Sequence, residues 1–180
     1  MTLEYRRLES SEVARVGEID RTERIDTIYV QHGVELEAVT GEFSAPAWLT
    51  NGTGEHSVAH QVDECERHLA AGGIALGAFS DGRLVGIGIV VPHVRDAVAQ
   101  LAYLHVSDGV RGRGVGVRLT TDLERIARDL GDATIVVSAT PSAHTVEFYL
   151  ARGYVPTASP LPELAELEPD DVHMEKRLED

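Results

Sequence analysis

The chain alternates short apolar runs with amphipathic stretches, a pattern that predicts strands interleaved with helices. Apolar runs at Ile74–Phe79, Leu84–Val91 and Leu101–Val106 predict three strands. The dipeptide Asp81-Gly82 between the first two is the strongest short hairpin signal in the sequence. Pro92 is expected to end the second strand. Together these runs predict a three-stranded antiparallel meander.

Helices are predicted where apolar residues recur every three or four positions. Ser10 or Ser11 is expected to cap the first helix, whereas Gly72-Gly73 and Gly131 are expected to end the other two. The recurring positions are Val13, Val16 and Ile19 in the first helix, Val58, Val62, Cys65 and Leu69 in the second, and Leu119, Leu123, Ile126, Ala127 and Leu130 in the third.

Shorter patterns complete the outline. Alternation over Val34–Thr40 predicts a half-exposed strand that pairs with Ile28–Val30 as a hairpin. The apolar run Ala133–Ala139 suits the centre of a sheet, and the acidic stretch Pro160–Asp171 is expected to be a surface loop. Terminal strands are expected at Leu3–Leu8 and Val172–Leu178. Phe43, Pro46 and Trp48 follow this hairpin.

Composition narrows the class of protein. A length of 180 residues fits one domain. The 16 Lys and Arg residues against 30 Asp and Glu give a formal charge of −14, so nucleic acid is not an expected partner, because its binding needs a concentrated basic face. No apolar run is long enough to span a bilayer and the N-terminus has no signal-peptide core, so a cytoplasmic protein with no membrane partner is expected.

The thiol and imidazole groups do not indicate a metal site. Cys65 lies on the apolar stripe of the second helix, which favours a buried core thiol over a reactive one. His56, His60 and His68 do not combine with cysteines or carboxylates at a metal-binding spacing. We therefore expect no metal.

The strongest candidate for chemistry is the stretch Leu101–Gly116, where a strand runs through the turn Ser107-Asp108-Gly109 into a glycine-rich loop and a helix. Alternate glycines let the loop bend so that its N–H groups, with the helix N-terminus, can hold an anion such as a diphosphate. The alternative is a tight turn with two solvated arginines. No Gly-Lys-Ser/Thr ending is present, which argues against a P-loop, and no βαβ unit precedes the loop, which argues against a dinucleotide fold.

Two motifs resemble the GNAT superfamily of N-acetyltransferases. Leu101-x-x-Leu104-x-Val106 followed by Arg111–Gly116 is similar to the family pattern Gln/Arg-x-x-Gly-x-Gly/Ala after a strand. Thr140–Tyr154 is similar to the family's later helix, with its Phe-Tyr pair and Gly-aromatic ending. The resemblance covers residues 75–178 well and the N-terminal part in outline.

The resemblance implies an α/β (α+β) fold, with a mixed, mostly antiparallel sheet of about six to seven strands flanked by about four helices. It also implies a single domain over residues 1–180, with acceptor-side elements in 1–73 and an acetyl-CoA-binding core in 74–178. The implied activity is transfer of an acetyl group from acetyl-CoA to a primary amine by direct attack in a ternary complex. The expected partner is a small-molecule or peptide amine, and the oligomeric state is left open between a monomer and a homodimer.

The resemblance also assigns backbone roles. The strand residues Leu104, His105 and Val106 would pair with the pantetheine arm, and the amide near Val106 would polarise the thioester carbonyl. Ser142 stands where many members carry an asparagine that binds pantetheine, although helix capping alone explains a serine there. The backbone that would hold the diphosphate belongs to Arg111, Gly112, Arg113, Gly114, Val115 and Gly116.

The resemblance assigns proton transfer to side chains. Tyr149 matches the family tyrosine that protonates the departing thiolate, the alternative being a core tyrosine. Gln100 and Ala102 occupy the positions where some members carry a general base, and neither is a useful proton acceptor. Glu23 is the first candidate for that base; the others are His93, His105, Glu147 and a water chain.

Two other classes of function remain open from the sequence. A non-catalytic acyl-CoA-binding domain on the same fold is favoured by the missing base on the strand. A nucleotide-binding module would bind ATP or NAD, and the lack of a phosphate-contacting lysine argues against it. Tyr149 and the intact glycines favour the enzyme.

Overall fold

The structure is a computed structural model that describes residues 2–179. Within this range, the predicted meander is part of a central sheet, and helices come before and after it in the chain. The strands are β1 (Leu3–Arg7), β2 (Glu23–His32), β3 (Glu35–Ala45), β4 (Ile74–Ser80), β5 (Arg83–Arg95), β6 (Val98–Val106), β7 (Thr134–Ala139), β8 (Val155–Pro156) and β9 (Val172–Arg177). The helices are α1 (Val58–Ala70), α2 (Val115–Asp129), α3 (Ala143–Leu150) and α4 (Pro162–Leu167), with 3-10 helices at Ser10–Glu18 and Asp108–Val110.

Seven strands form the central sheet in the order β1-β4-β5-β6-β7-β9-β8. β6 and β7 pair in parallel, and every other neighbouring pair in this sheet is antiparallel. The predicted mixed, mostly antiparallel sheet with flanking helices is therefore confirmed. β2 and β3 form a separate two-stranded sheet.

The meander β4-β5-β6 forms as predicted, with one correction. Asp81 and Gly82 have φ values of 50° and 77°, as a two-residue hairpin turn with matching twist requires. The prediction that Pro92 ends the second strand is wrong, because β5 continues to Arg95. The ladder is irregular there and His93 has a φ of 55°, so the proline lies in a bulge where its missing N–H costs no ladder bond.

The first helix also differs in detail. It is a 3-10 helix whose N-cap is Glu9, so the prediction that Ser10 or Ser11 caps it is wrong. The Glu9 N–H instead donates to the Glu12 carboxylate at 3.0 Å. Near the C-terminus, the predicted loop over 160–171 contains α4, which begins at Pro162, a favourable first helical position.

The two faces of the sheet carry different helices. On one face, the 3-10 helix Ser10–Glu18 and α1 share a core with β4, β5 and Tyr103 of β6. Cys65 lies fully buried in this core, as predicted, and burial raises the pKa of its thiol to about 12. On the other face, α2 packs closely on β5, because a Cβ atom at Gly88 would lie 2.7 Å from Leu123 Cδ1.

The β2–β3 hairpin is confirmed and is longer than predicted. It is attached to the start of α3 through the Tyr29 N–H, which donates to the Pro141 carbonyl at 2.8 Å. Gln31 attaches it to the far edge of the sheet, since its side chain donates to the Thr157 carbonyl at 3.0 Å and accepts from the His173 N–H at 2.8 Å. The hairpin therefore lies beside the segment that joins β7 to α3 and beside the sheet edge formed by β8 and β9.

Candidate active site

The sheet opens between β6 and β7. These strands pair only over Val98, Ala99 and Gln100 of β6, opposite 134–136 of β7. β6 then continues to Val106 while it stays paired with β5 on its other side. Within the described residues, β6 beyond Gln100 therefore has no strand partner on the β7 side, which leaves a slot with one exposed strand edge.

The direction of the β6 amides follows from one hydrogen bond. The Ser107 N–H donates to the Val85 carbonyl of β5 at 2.9 Å. Because successive amides of a strand point to opposite sides, the N–H groups of Val106 and Leu104 point into the slot and that of His105 points to β5. The slot thus offers donors to an extended ligand, as an added strand would require.

The glycine-rich loop forms an open cradle beside this slot. Gly112 and Gly114 have φ values of 73° and 81°, and a Cβ atom at either would meet nothing within 4 Å. Gly114 is the N-cap of α2, and its carbonyl accepts the Arg118 N–H at 2.9 Å. The N–H groups of Val115 and Gly116 precede that first helical bond and point out of the helix end. The residues present therefore fit a diphosphate.

Arg111 has a side-chain role that sequence reasoning missed. Its guanidinium donates to three carbonyls: Val106 at 3.1 Å, Thr22 at 2.9 Å and Arg21 at 3.1 Å. It thereby fastens the loop before β2 to the end of β6. The sequence gives no signal for these contacts, because the partners are main-chain atoms far away along the chain.

Two candidate residues at α3, Tyr149 and the N-cap Ser142, are buried. Tyr149 is 4% exposed, and its ring packs edge-to-face on Phe148 and Tyr154 with centroids 5.2 Å away. Burial raises the pKa of the Tyr149 phenol well above 10, so the group retains its proton at neutral pH. Ser142 caps α3, since its hydroxyl donates to Thr145 Oγ1 at 2.9 Å and accepts the Thr145 N–H at 3.3 Å.

The candidate general bases differ in position and in exposure. Glu23 is the first residue of β2 and lies on the partly buried face of that strand. It follows Thr22, whose carbonyl accepts a hydrogen bond from Arg111, as the Val106 carbonyl also does. His93 lies at the opposite end of the meander, about 23 Å along β5 from the residue opposite Val106 at the usual rise per strand residue. Glu147 is exposed and accepts a hydrogen bond from the Tyr29 hydroxyl at 3.2 Å.

His105 lies on the face of β6 that carries α1. Its ring is 4.8 Å from Tyr103 and 5.4 Å from Trp48, centroid to centroid. Burial, together with the positive charges of Arg21 and Arg111, lowers the pKa of His105 to about 4. The imidazole is therefore neutral at physiological pH and is a weak final acceptor for an ammonium proton.

Arg21 and Trp48 form a stacked pair, of which only Trp48 was singled out from the sequence. The Arg21 guanidinium stacks on the Trp48 ring, 3.9 Å from its centroid, and Arg21 Nε donates to the Pro46 carbonyl at 2.7 Å. Trp48 in turn contacts His105. The segment after the hairpin thus contacts β6 through the Trp48 and His105 rings.

Across residues 2–179, no three His, Cys, Asp or Glu side chains are grouped so that they could hold a metal ion. No helix in the same range is both long and apolar enough to cross a bilayer.

Comparison with solved structures gives the fold. A nourseothricin acetyltransferase aligns with a TM-score of 0.74 at 16% identity, covering 99% of this chain and 100% of that one. The PaiA N-acetyltransferase of Thermoplasma acidophilum, solved with coenzyme A, gives 0.64 at 16% identity over 98% and 99% of the two chains. An aminoglycoside 6'-acetyltransferase type Ii gives 0.55 at 25% identity over 67% and 78%.

Comparison of the sequence gives the family. No curated protein matches the chain significantly. The family model described as the acetyltransferase (GNAT) family matches residues 43–154, which run from the last residues of β3 to just before β8 and include the slot and the cradle. The chain therefore belongs to the GNAT family of acetyltransferases.

Proposed function

We propose that this protein transfers the acetyl group of acetyl-CoA to a primary amine by direct attack in a ternary complex. The observation that carries the proposal is the slot between β6 and β7 together with the glycine cradle at its end. An extended pantetheine arm needs a free strand edge, and a diphosphate needs free amides at a helix N-terminus. Both lie on one continuous path from Leu104 to Gly116.

The amide of Val106 is the proposed donor to the thioester oxygen. Attack of the neutral amine on the thioester carbonyl carbon places negative charge on that oxygen, and a fixed N–H donor stabilises it. Arg111 keeps this amide in place, because it binds the Val106 carbonyl. Collapse of the tetrahedral intermediate breaks the C–S bond and releases the thiolate.

Proton transfer is assigned to two side chains. Tyr149 is the proposed donor to the thiolate, since its phenol is protonated at neutral pH. Glu23 is the proposed acceptor of the ammonium proton, supported by its position beside the loop that Arg111 fastens to Val106. Ser142 is expected to act on pantetheine only indirectly, by capping α3.

A thermal-shift titration tests this function. Acetyl-CoA and CoA should raise the melting temperature of the wild type, whereas ATP and NAD should not, because a ligand that binds only the folded state stabilises it. Gly114→Trp should lose the response, since its side chain would fill the cradle. Gly82→Trp is the matched control: its φ of 77° is similar and its site is also open, but it lies in the β4–β5 turn. Stabilisation by ATP or NAD alone would contradict the proposal.

A further inference from the structure

Arg21 and Trp48 each bury a hydrogen-bond donor that has no partner. Arg21 Nη2 and Trp48 Nε1 are inaccessible to solvent and make no hydrogen bond with any described residue. A buried donor without an acceptor is costly, more so when it carries charge, and such groups in a native protein call for an explanation. Because these two donors lie on stacked side chains, they point to one ligand group that accepts hydrogen bonds from both.

The pair is held in a fixed position beside the slot. Arg21 Nε is anchored on the Pro46 carbonyl and the guanidinium lies flat on the Trp48 ring. The Arg21 carbonyl is bound by Arg111, which also binds the Val106 carbonyl. Trp48 also packs on His105, the residue before Val106, so the pair lies on the side of β6 that faces α1, next to the residue whose amide would polarise the thioester.

No internal group neutralises the Arg21 charge. Among residues 2–179, the ion pairs formed do not include Arg21, and Glu55 is 79% exposed and acts on it only at a distance. The other neighbours carry no negative charge: His105 is neutral, and the Tyr103 hydroxyl donates to Gln61 Oε1 at 2.6 Å. A negative ligand group that gains access to these enclosed donors would thus meet a guanidinium without an ion pair and an indole N–H.

We propose that Arg21 Nη2 and Trp48 Nε1 bind a carboxylate of the acceptor, so that the acceptor is a primary amine that also carries a carboxylate, as an amino acid does. This inference rests on the proposed function and specifies its substrate class. Guanidinium groups form strong charge-assisted hydrogen bonds with carboxylates. A formal charge of −14 disfavours anions in general, so a carboxylate substrate needs a dedicated local receptor of this kind. A purely polycationic amine would gain nothing from it.

Fluorescence tests the receptor without turnover. Trp48 is the chain's single tryptophan, so its emission reports on this site alone. With CoA present, N-acetylglycine and N-acetyl-L-leucine should change the emission saturably, and the corresponding amides should not. Arg21→Gln should weaken the carboxylate response about tenfold or more, whereas Arg24→Gln, an exposed position on β2, should leave it unchanged. Equal responses to acid and amide, or no response to either, would overturn the inference.

Kinetics test it independently. The kcat/KM for thiol release from acetyl-CoA should be higher with L-leucine than with L-leucinamide or 3-methylbutylamine. It should likewise be higher with L-phenylalanine than with L-phenylalaninamide or phenethylamine. Arg21→Gln should remove this preference, and Trp48→Phe, which keeps the stacking ring and deletes the N–H, should reduce it. Equal or greater rates with the amides and amines, or turnover of none of these compounds, would overturn the inference.

The two proposals fail in distinguishable ways. If acetyl-CoA does not stabilise the folded protein, the proposed function fails first. If acetyl-CoA binds but neither Trp48 emission nor the rate distinguishes carboxylates from amides, only the carboxylate receptor is wrong.

Discussion

Replacing Arg111 by Met should destabilise the protein measurably, because this side chain joins two segments that are remote in sequence. The methionine keeps an apolar stem but removes the donors to the carbonyls of Val106, Thr22 and Arg21. Each hydrogen bond contributes about 1 kcal/mol net, and more where a charged donor is lost from a partly buried acceptor. We expect the free energy of unfolding to fall by about 3 kcal/mol, or about 9 °C in Tm for a chain of this size.

Urea unfolding measures this difference directly. Arg125→Met is the matched control: its side chain is 55% exposed and its guanidinium contacts Asp129 at 3.3 Å, so its loss should change stability by less than about 0.5 kcal/mol. Arg111→Met should also weaken stabilisation by acetyl-CoA, because the end of β6 loses its anchor. A stability loss as small as that of the control would refute the reasoning.

Three further changes test other residues. Tyr149→Phe deletes only the hydroxyl, so kcat for thiol release should fall about 100-fold while acetyl-CoA stabilises the protein as before; an unchanged kcat would leave Tyr149 a core residue. Glu23→Gln should lower kcat/KM chiefly at low pH, where the amine is mostly protonated and needs a base, and an unaltered pH profile would remove Glu23 from the mechanism. Burial beside Glu168 and Asp170 raises the pKa of Asp171 to about 7. The folded state therefore holds this proton more tightly than the unfolded state, and the free energy of unfolding falls as the pH rises from about 4 past 7. Asp171→Asn should therefore match the wild type near pH 4 and exceed it at pH 8.5 by about 2 kcal/mol after solvent screening, and an equal difference in unfolding free energy at both pH values would contradict this.

Features specified by neighbouring residues were predictable from the sequence. The Asp81-Gly82 turn, the meander and the cradle at Gly112 and Gly114 depend on backbone conformations that only a few residue types adopt readily. The amphipathic stripes placed α1 and α2 correctly, because burial follows the helical period.

Features specified by distant contacts were not predictable. Pro92 lies within β5 because a bulge absorbs it, which a local rule about proline does not anticipate. The first helix is capped through Glu12 because that carboxylate is also held by Arg6 of β1, at 2.7 Å. Likewise, nothing in the sequence joins Arg21 to Trp48.

The stacked pair Arg21 and Trp48 has a further consequence through its place in the chain. Arg21 lies two residues before β2 and Trp48 follows β3, so the two side chains close the base of a hairpin whose strands form a sheet separate from the central one. Such a unit can open in a sub-global event at less cost than complete unfolding. An acceptor that bridges both side chains would hold this base shut. Amide hydrogen exchange should then slow along the length of both strands, including at positions that never touch the acceptor.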